Sequence, residues 1–293
     1  MSLDLPRYSA AGNLRGAGFM VASMAGFAVE DMFLKSAARE MPLGLVVIVL
    51  GLTGMAFFSV WAMRRREPVF PAALVSPPLL VRSGFEISGR LFYALAVALT
   101  PLSVASAILQ ATPLVVMLGA SVLFHERIGW RRWLAVATGF AGVLVILRPG
   151  LSGFDLLSLL AVAAMLGFSG RDLATRAAPP ALSNAQLGVL GYLMFTIAGA
   201  IILAVSGDVA MPSAHALSRA LAAAVFGIAG YAFLTAAMRT GEVGAVTPFR
   251  YTRLVFAMIL GALAFGERPD AAMLVGSALV VGSGLFILTR PRR

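Results

Sequence analysis

Residues 26–35 read GFAVEDMFLK, and this stretch sets two carboxylates and an ammonium, those of Glu30, Asp31 and Lys35, inside an otherwise apolar segment. The pattern returns at residues 167–176, GFSGRDLATR, where glycine, phenylalanine, aspartate and a final cation keep the same spacing. A charge inside a bilayer is costly and marks a functional site by default. Because the cluster occurs twice, the alignment that sets residue 26 against residue 167, called the repeat alignment below, organises the rest of the chain.

The composition predicts an integral membrane protein. Of 293 residues, 60% are hydrophobic and 12% are charged, and the mean hydropathy is +0.92. These values lie outside the range of soluble globular proteins. The net charge of +10 does not indicate a nucleic-acid partner, because all but one of the 23 cations are arginines scattered between apolar runs and no basic block is interleaved with stacking aromatics. The predicted partner of this surface is the lipid bilayer.

Apolar runs long enough to cross about 30 Å of hydrocarbon recur along the chain with short, often proline-containing breaks. They are continuous and lack the alternation of barrel strands. We predict an all-α integral membrane protein with ten transmembrane helices, at roughly 16–38, 43–63, 79–99, 103–124, 131–147, 155–176, 184–205, 217–239, 245–265 and 270–289. The side that holds the arginine run 64–66 is richer in cations and is predicted to be cytoplasmic. Both termini then lie in the cytoplasm.

A second motif follows the same repeat alignment. Residues 124–127 read FHER, and residues 265–268 read FGER. We therefore predict two copies of a five-helix unit, residues 1–150 and 151–293. Five spans are an odd number, so the second copy enters the membrane from the opposite face. Such inverted repeats are typical of secondary transporters, whose two halves enclose a site near the membrane midplane.

Two five-span halves, each with an x-Glu-Arg turn before a small-residue-rich last span that finishes near Arg-Pro, resemble the drug/metabolite transporter superfamily, specifically its EamA-type ten-helix members. The stretch 98–107, ALTPLSVASA, with Pro113 and Glu126 after it, carries this resemblance. Arg250 and Arg253 depart from the pattern, since the equivalent span is usually apolar. Within the superfamily the chain is most similar to the YddG-type bacterial amino acid exporters. That resemblance implies export of amino acids, often aromatic ones, through a cavity lined by helices 1, 3, 4, 6, 8 and 9.

Charged residues inside the predicted spans, above all those of spans 1 and 6, are candidates for gating or coupling. Asp31 with Lys35, and Asp172 with Arg176, are acid-first pairs four residues apart, the favourable order on a helix. One interpretation is that these pairs only neutralise charges near the helix ends. The other is that they break and form as a carrier alternates, or that a carboxylate exchanges a proton. The full set of candidates is Glu30, Asp31, Lys35, Glu86, Arg171, Asp172, Arg176 and Arg250.

Span 3 carries Arg82, Glu86 and Arg90 four residues apart, so the three side chains share one helical face. They form either an internal ladder of ion pairs or part of a cavity, and Arg90 would suit a substrate carboxylate because its planar fork binds one in two places. Arg250 and Arg253 of span 9 need acids from other helices or the substrate itself. The candidates for the substrate cavity are Phe27, Phe85, Arg90, Tyr93, Gln110, Phe168, Tyr231, Tyr251 and Arg253.

Enzyme motifs are missing from the sequence. It holds two histidines and no cysteine, without a His-Glu-x-x-His motif or a phosphate-binding loop. We predict no catalytic residue, metal or cofactor, and an exporter of small metabolites, above all amino acids, in the bacterial inner membrane, working by alternating access as a monomer or weak homodimer. The alternatives are an exporter of cationic or amphipathic drugs, a passive channel and an intramembrane enzyme.

Overall fold

The computed structural model describes residues 10–123, 130–148, 155–177, 182–208, 210–240 and 247–288, and within these ranges the regular structure is helical throughout. The helices are α1 Ala10–Ala37, α2 Leu43–Arg64, α3 Pro77–Leu99, α4 Leu102–Leu109, α5 Thr112–Leu123, α6 Trp130–Leu147, α7 Ser158–Ala177, α8 Asn184–Ser206, α9 Ala214–Thr240, α10 Thr252–Phe265 and α11 Ala271–Leu288. Two short 3₁₀ helices, Ala72–Val75 and Thr247–Tyr251, precede α3 and α10. The predicted all-α fold is confirmed for these residues.

Predicted span 4 is divided between α4 and α5, and span 9 between the 3₁₀ helix Thr247–Tyr251 and α10. The other predicted spans each coincide with one helix to within a few residues, except that α1 begins at Ala10, earlier than predicted. The FHER turn at 124–127 and the start of span 9 before residue 247 lie outside the described residues.

Within the described ranges, four helical segments are long and apolar enough to cross a membrane: Leu14–Ala37, Leu43–Arg64, Asn184–Ser206 and Ala214–Leu234. Helices α3 and α7 have comparable lengths, 23 and 20 residues, but carry the charged clusters. The two helices pack along each other. Their charges therefore meet each other inside the bundle instead of facing lipid, where each would be costly.

Glycines set the closest helix contacts. Helix α1 packs on α9, and a Cβ added at Gly26 would lie 3.1 Å from the Gly230 Cα. Helix α7 packs on α3, and a Cβ added at Gly167 would lie 2.5 Å from the Gly89 nitrogen. Small residues let membrane helices approach to backbone contact. The remaining extensive pairings are α2 with α8 and α6 with α11.

The interruption between α4 and α5 has a local cause. Pro113 has no N–H, so the carbonyl of Leu109 loses its helical partner. The Thr112 hydroxyl donates to that carbonyl at 2.6 Å in its place. Gln110, inside the interruption, donates from its side-chain amide to the Arg250 carbonyl at 3.0 Å. The two interrupted spans are thus joined where each departs from the α-helix.

Polar contacts of residues in helix ends and turns mark the two ends of the bundle. At the end called the Lys35 end, Lys35 meets Thr100 and Glu267, Arg219 pairs with Glu40, and Arg148 pairs with Asp270. At the opposite end, called the Glu67 end, Ser183 donates to Glu67 and Gln186 donates to the Pro68 carbonyl. The charged residues described next lie between these two ends.

Candidate substrate site

Glu86 on α3 is the acceptor for three arginines. Its side chain is 2% exposed and lies 3.5 Å from Arg82, 3.1 Å from Arg90 and 3.3 Å from Arg171 of α7. The ion pairs predicted along α3 are present, and a cation from α7 joins them. A buried carboxylate needs several hydrogen bonds to offset its lost hydration. Glu86 obtains them by holding α3 and α7 together.

Arg171 also binds Asp172, with its Nε at 2.9 Å and a terminal nitrogen at 2.8 Å from one carboxylate oxygen. The Arg176 side chain lies outside the described residues, so the pair of Asp172 with Arg176 stays a prediction. Asp172 thus has Arg171 as an observed partner, and Arg171 links Asp172 to Glu86.

Asp31 on α1 is buried and accepts two hydrogen bonds from other helices. The Tyr93 hydroxyl of α3 donates at 2.8 Å, and Arg253 of α10 donates at 2.7 Å. Arg253 also contacts the Tyr93 hydroxyl at 3.1 Å. Of the two predicted alternatives, an acid from another helix or the substrate, the structure shows an acid at Arg253, namely Asp31.

The predicted pair of Asp31 with Lys35 is wrong. The Lys35 ammonium donates to the Thr100 carbonyl at 2.6 Å and to Glu267 at 3.0 Å. An i,i+4 pair contributes only a few tenths of a kcal/mol, whereas a buried carboxylate without several donors is strongly unfavourable. Asp31 therefore takes the donors of α3 and α10, and Lys35 extends to the helix end.

Aromatic rings join the two charged groups. Tyr93 meets Phe168 of α7 edge to face, with centroids 5.9 Å apart. The Arg90 guanidinium lies 5.7 Å from the Phe168 centroid and 4.6 Å from that of Phe195 on α8. Such cation–π contacts favour a cation inside a desolvated site. Arg171 over Phe168 and Arg253 over Phe27 repeat the arrangement at 4.9 Å and 5.3 Å.

We call this continuous set the arginine–aromatic site. Its members, contributed by α1, α3, α7, α8 and α10, are Phe27, Glu30, Asp31, Glu86, Arg90, Tyr93, Phe168, Arg171, Phe195 and Arg253. The arrangement suits a substrate with an aromatic ring and a carboxylate, because it combines buried aromatic rings with guanidinium groups that bind carboxylates.

Two charged groups, Glu30 in this site and Arg250 beside it, lack a direct side-chain partner among the described residues. Glu30 is 6% exposed, and its carboxylate receives no hydrogen bond in the described part of the chain. It lies against α9, where a Cβ at Gly227 would come within 2.7 Å of the Glu30 Cδ. The Arg250 guanidinium, within the same described ranges, has neither an ion pair nor a hydrogen bond, although it interacts electrostatically with Asp172.

Several other predicted residues lie beside the site. The Gln110 side-chain amide donates to the backbone carbonyl of Arg250, and Tyr231 packs edge-on against Phe58 at 5.1 Å. Tyr251 is buried, and its hydroxyl has no partner among the described residues. Phe85 is not brought into the site: it is 42% exposed and its ring lies over Gly170 of α7.

Sequence reasoning missed Phe195 and the role of Glu267. Nothing in the sequence around Phe195 distinguishes it from other apolar residues of its span. Glu267 was noted only as a marker of the repeated x-Glu-Arg turn. Its carboxylate accepts from the N–H groups of Leu102 and Ser103 at 2.6 and 3.1 Å, and from the Ser103 hydroxyl at 2.7 Å. It therefore caps the N-terminus of α4, where negative charge is favoured.

The surroundings of Glu267 also affect its ionisation. The residue lies in the turn between α10 and α11. Burial alone would raise the pKa of its carboxyl, but the hydrogen bonds from Ser103, Leu102 and Lys35 hold that pKa below its ordinary value. The Glu267 carboxylate is thus ionised at neutral pH and links α1, α4 and the start of α11.

Comparison with known proteins gives a consistent family. The model of the EamA-like transporter family matches this chain twice, over residues 14–148 and 156–289. A riboflavin transporter of Rhizobium johnstonii is 30% identical over 197 residues, which are 67% of this chain and 65% of that protein. An S-adenosylmethionine uptake transporter of Rickettsia prowazekii is 29% identical over 67% of this chain and 65% of its own length. The matched stretch is thus less than two thirds of either relative.

Two further similarities extend over nearly the whole chain. The pseudopaline exporter CntI of Pseudomonas aeruginosa is 26% identical over 92% of this chain and 95% of its own length. A protein crystal structure with 21% sequence identity superposes with a TM-score of 0.62, covering 96% of this chain and 99% of that one. At that identity the superposition shows a shared fold alone.

Proposed function

This chain belongs to the EamA-like transporter family, and on that premise we propose that it is a secondary transporter that exports small metabolites, above all amino acids including aromatic ones, by alternating access. Members of this family are membrane transporters and not enzymes, as the sequence predicted. The observation that carries the proposal is the arginine–aromatic site, since buried charges inside a membrane bundle mark substrate or ion pathways.

We infer that the ten spans form two inverted five-helix repeats, residues 1–150 and 151–293. The family model matches once in each of these halves. The repeat alignment also relates the helix contacts to one another, because it exchanges the α1–α9 pair with the α7–α3 pair. It carries Gly26 and Gly230 onto Gly167 and Gly89, and each of these two pairs lies at a close helix crossing. These relationships support the repeat.

The interrupted spans support a site near the membrane midplane. In secondary transporters, discontinuous helices surround the substrate site. Here α5 begins at Thr112 and α10 at Thr252, positions that the repeat alignment matches to within one residue. We propose that the contacts at the Lys35 end, which tie α1 to α4 and α11, are one of the two gates. We propose that Glu86, Arg171 and Asp172 belong to the other gate.

The charge balance favours an anionic or zwitterionic substrate over a cationic drug. Among the described residues of the interior, the arginines outnumber the acids by one. The arginines are Arg82, Arg90, Arg171, Arg250 and Arg253, and the acids are Glu30, Asp31, Glu86 and Asp172. A cationic drug would add to the unbalanced positive charge, whereas a carboxylate would offset it.

The named relatives differ in their substrates, so the choice of amino acids rests on this charge balance, on the aromatic rings and on the resemblance to YddG-type exporters. We further propose that the protein lies in the bacterial inner membrane with both termini in the cytoplasm, as a monomer or weak homodimer. The arginine run 64–66 at the Glu67 end favours that orientation.

Counterflow in proteoliposomes tests the proposed function. Vesicles preloaded with an unlabelled amino acid should transiently accumulate the same labelled amino acid, and the uptake should saturate. Riboflavin and S-adenosylmethionine serve as comparison solutes, and a run with a pH gradient asks whether protons are coupled. Flux that does not saturate would favour a passive channel. Saturable uptake of riboflavin without uptake of any amino acid would keep the transporter but overturn the amino acid substrate.

A further inference from the structure

Glu30 is a buried carboxylate to which no group of the described residues donates a hydrogen bond. Its neighbours on α1 already have their roles, since Asp31 binds Tyr93 and Arg253 and Phe27 packs under Arg253. Glu30 instead points at α9, where Gly227 leaves room for the carboxylate. An ionised group in such a place is unfavourable unless a donor reaches it. The Glu30 carboxylate beside Gly227 therefore lacks a hydrogen-bond donor among the described residues.

Arg90 has the opposite charge and spare binding capacity. Its Nε is bound to Glu86 at 3.1 Å, and its guanidinium face lies on Phe195 and Phe168. The side chain is 24% exposed, whereas that of Glu86 is 2% exposed. Among the described residues, no acceptor binds the two terminal nitrogens of the Arg90 guanidinium. These nitrogens can therefore bind a carboxylate.

These two groups act on the same space. Asp31, next to Glu30 on α1, accepts a hydrogen bond from Tyr93, which lies three positions after Arg90 on α3 and so on the same side of that helix. The charges of Glu30 and Arg90 attract each other across this contact, and Tyr192 of α8 interacts with both. Tyr192 stacks on Phe195, with centroids 6.1 Å apart, and Phe195 in turn lies under Arg90. The Glu30 carboxylate, the Arg90 guanidinium and a layer of aromatic rings thus surround one region between α1, α3, α8 and α9.

We propose that Glu30 and Arg90 bind the two charges of an α-amino acid head group: the substrate ammonium binds Glu30, its carboxylate binds the terminal nitrogens of Arg90, and its side chain packs beside the aromatic layer of Phe168, Tyr192 and Phe195. This assignment rests on the proposed function and names the substrate class of the same site. A zwitterion supplies a donor to Glu30 and an acceptor to Arg90 at once. A molecule with only one of the two charges leaves the other protein group unpaired inside the bundle.

Analogues of one amino acid provide the test. Purified protein in proteoliposomes is assayed for labelled phenylalanine counterflow, with phenylalanine, 3-phenylpropionate (no ammonium) or phenethylamine (no carboxylate) as unlabelled competitor. In the wild type, phenylalanine should compete at least about tenfold better than either analogue, because a lost contact between charged groups weakens binding by roughly that factor or more.

The variants then assign each charge to a residue. Glu30→Gln should lower the affinity for phenylalanine and make 3-phenylpropionate an equally good competitor, while discrimination against phenethylamine remains. Arg90→Lys should weaken discrimination against phenethylamine only in part, because it keeps the charge and loses the planar fork, and Arg90→Gln should abolish it. Glu67→Gln, which removes a carboxylate at the Glu67 end, is the matched control and should keep the wild-type preferences.

Each other outcome has a definite meaning. If Glu30→Gln keeps the full preference for phenylalanine over 3-phenylpropionate, or changes only the response to a pH gradient, Glu30 does not bind the ammonium and the inference falls while transport stands. If the wild-type protein shows no counterflow with phenylalanine or any other amino acid, the proposed substrate class and this inference are both overturned. Elution as a single folded species in detergent checks that each variant is intact.

Discussion

The ammonium of Lys35 on α1 lies 3.0 Å from the carboxylate of Glu267, in the turn before α11. The two residues are 232 positions apart, and the same carboxylate caps α4. The contact therefore joins α1 to the turn before α11 at the Lys35 end of the bundle.

The Glu267 contacts predict an acid-sensitive contribution to stability. Because hydrogen bonds hold the pKa of the folded carboxyl below its ordinary value of 4.5, the ionised group stabilises the protein above that pH, and this stabilisation is lost as the pH falls through the lower pKa of the folded state. Glu267→Gln should cost about 1.5–3 kcal/mol at neutral pH and flatten the fall of the unfolding temperature below pH 4.5. Thermal unfolding in detergent measures both.

Glu40→Gln is the control for that experiment. Glu40 pairs with Arg219 at the same end of the bundle, but its side chain is 39% exposed. An exposed pair contributes about 1 kcal/mol or less. Equal losses for the two variants would contradict the central role of Glu267.

Removing the charge of Glu86 should be the most damaging single change in the interior. Glu86→Gln removes the negative charge that Arg82, Arg90 and Arg171 share, and breaking a buried ion pair costs about 3–5 kcal/mol. Asp172→Asn is the comparison, because Asp172 has Arg171 as its partner and is 32% exposed. We expect a much larger drop in unfolding temperature and folded yield for Glu86→Gln. A drop no larger than that of Asp172→Asn would be evidence against the shared-acceptor arrangement.

Asp31 and Arg253 should behave as a coupled pair. Asp31→Asn or Arg253→Gln alone leaves a buried charge unpaired, so each should be strongly destabilising, and the double variant should be less destabilised than the sum of the two. Tyr93→Phe removes one hydrogen bond from Asp31 and should cost about 1–3 kcal/mol. A double-mutant cycle of unfolding free energies gives the coupling. Strictly additive effects would show that the pair does not act as a unit.

The glycine crossing of α3 and α7 should not accept a methyl group. A Cβ at Gly167 would meet the backbone of Gly89 at 2.5 Å, so Gly167→Ala must push the helices apart. Gly84→Ala on α3 meets nothing within 4 Å and is the matched control. We expect a lower unfolding temperature and loss of counterflow for Gly167→Ala, with no loss for Gly84→Ala. Tolerance of both would mean that the two helices do not cross so closely.

Thiol labelling of single-cysteine variants tests the proposed orientation in the membrane, since the natural chain has no cysteine. Arg65→Cys at the Glu67 end should react with a membrane-impermeant thiol reagent only after the cells are opened. Glu40→Cys at the Lys35 end should react in intact cells. Reversed labelling of the two positions would place the termini outside the cytoplasm.

Much of the helical framework could be predicted from the sequence, because a membrane span must satisfy its backbone internally over a fixed length of apolar residues. The common face of Arg82, Glu86 and Arg90 was equally predictable, since spacing of four residues allows no other arrangement on a helix. The break after Leu109 was not predicted, although Pro113 was its visible cause.

The partners of the charges could not be predicted in the same way. Asp31 and Lys35 have the spacing of a local pair, yet each binds a group from a distant part of the chain. Which helices meet is decided by glycine contacts such as Gly167 with Gly89, and the sequence does not say which small residues lie at a crossing. Phe195 became identifiable only when α8 was seen beside Arg90.

The contact between α3 and α7 also bears on how the chain enters the membrane during synthesis. Helix α3 leaves the ribosome with Arg82, Glu86 and Arg90, and the cation that completes its ion pairs belongs to a helix that is translated four helices later. Each uncompensated charge near the centre of a span opposes insertion by about 2.5–3.5 kcal/mol. We therefore expect α3 to settle as a span only once α7 is present. A chain that ends before α7 should be extracted and degraded by membrane quality control, which pulse-chase labelling of truncated chains would reveal.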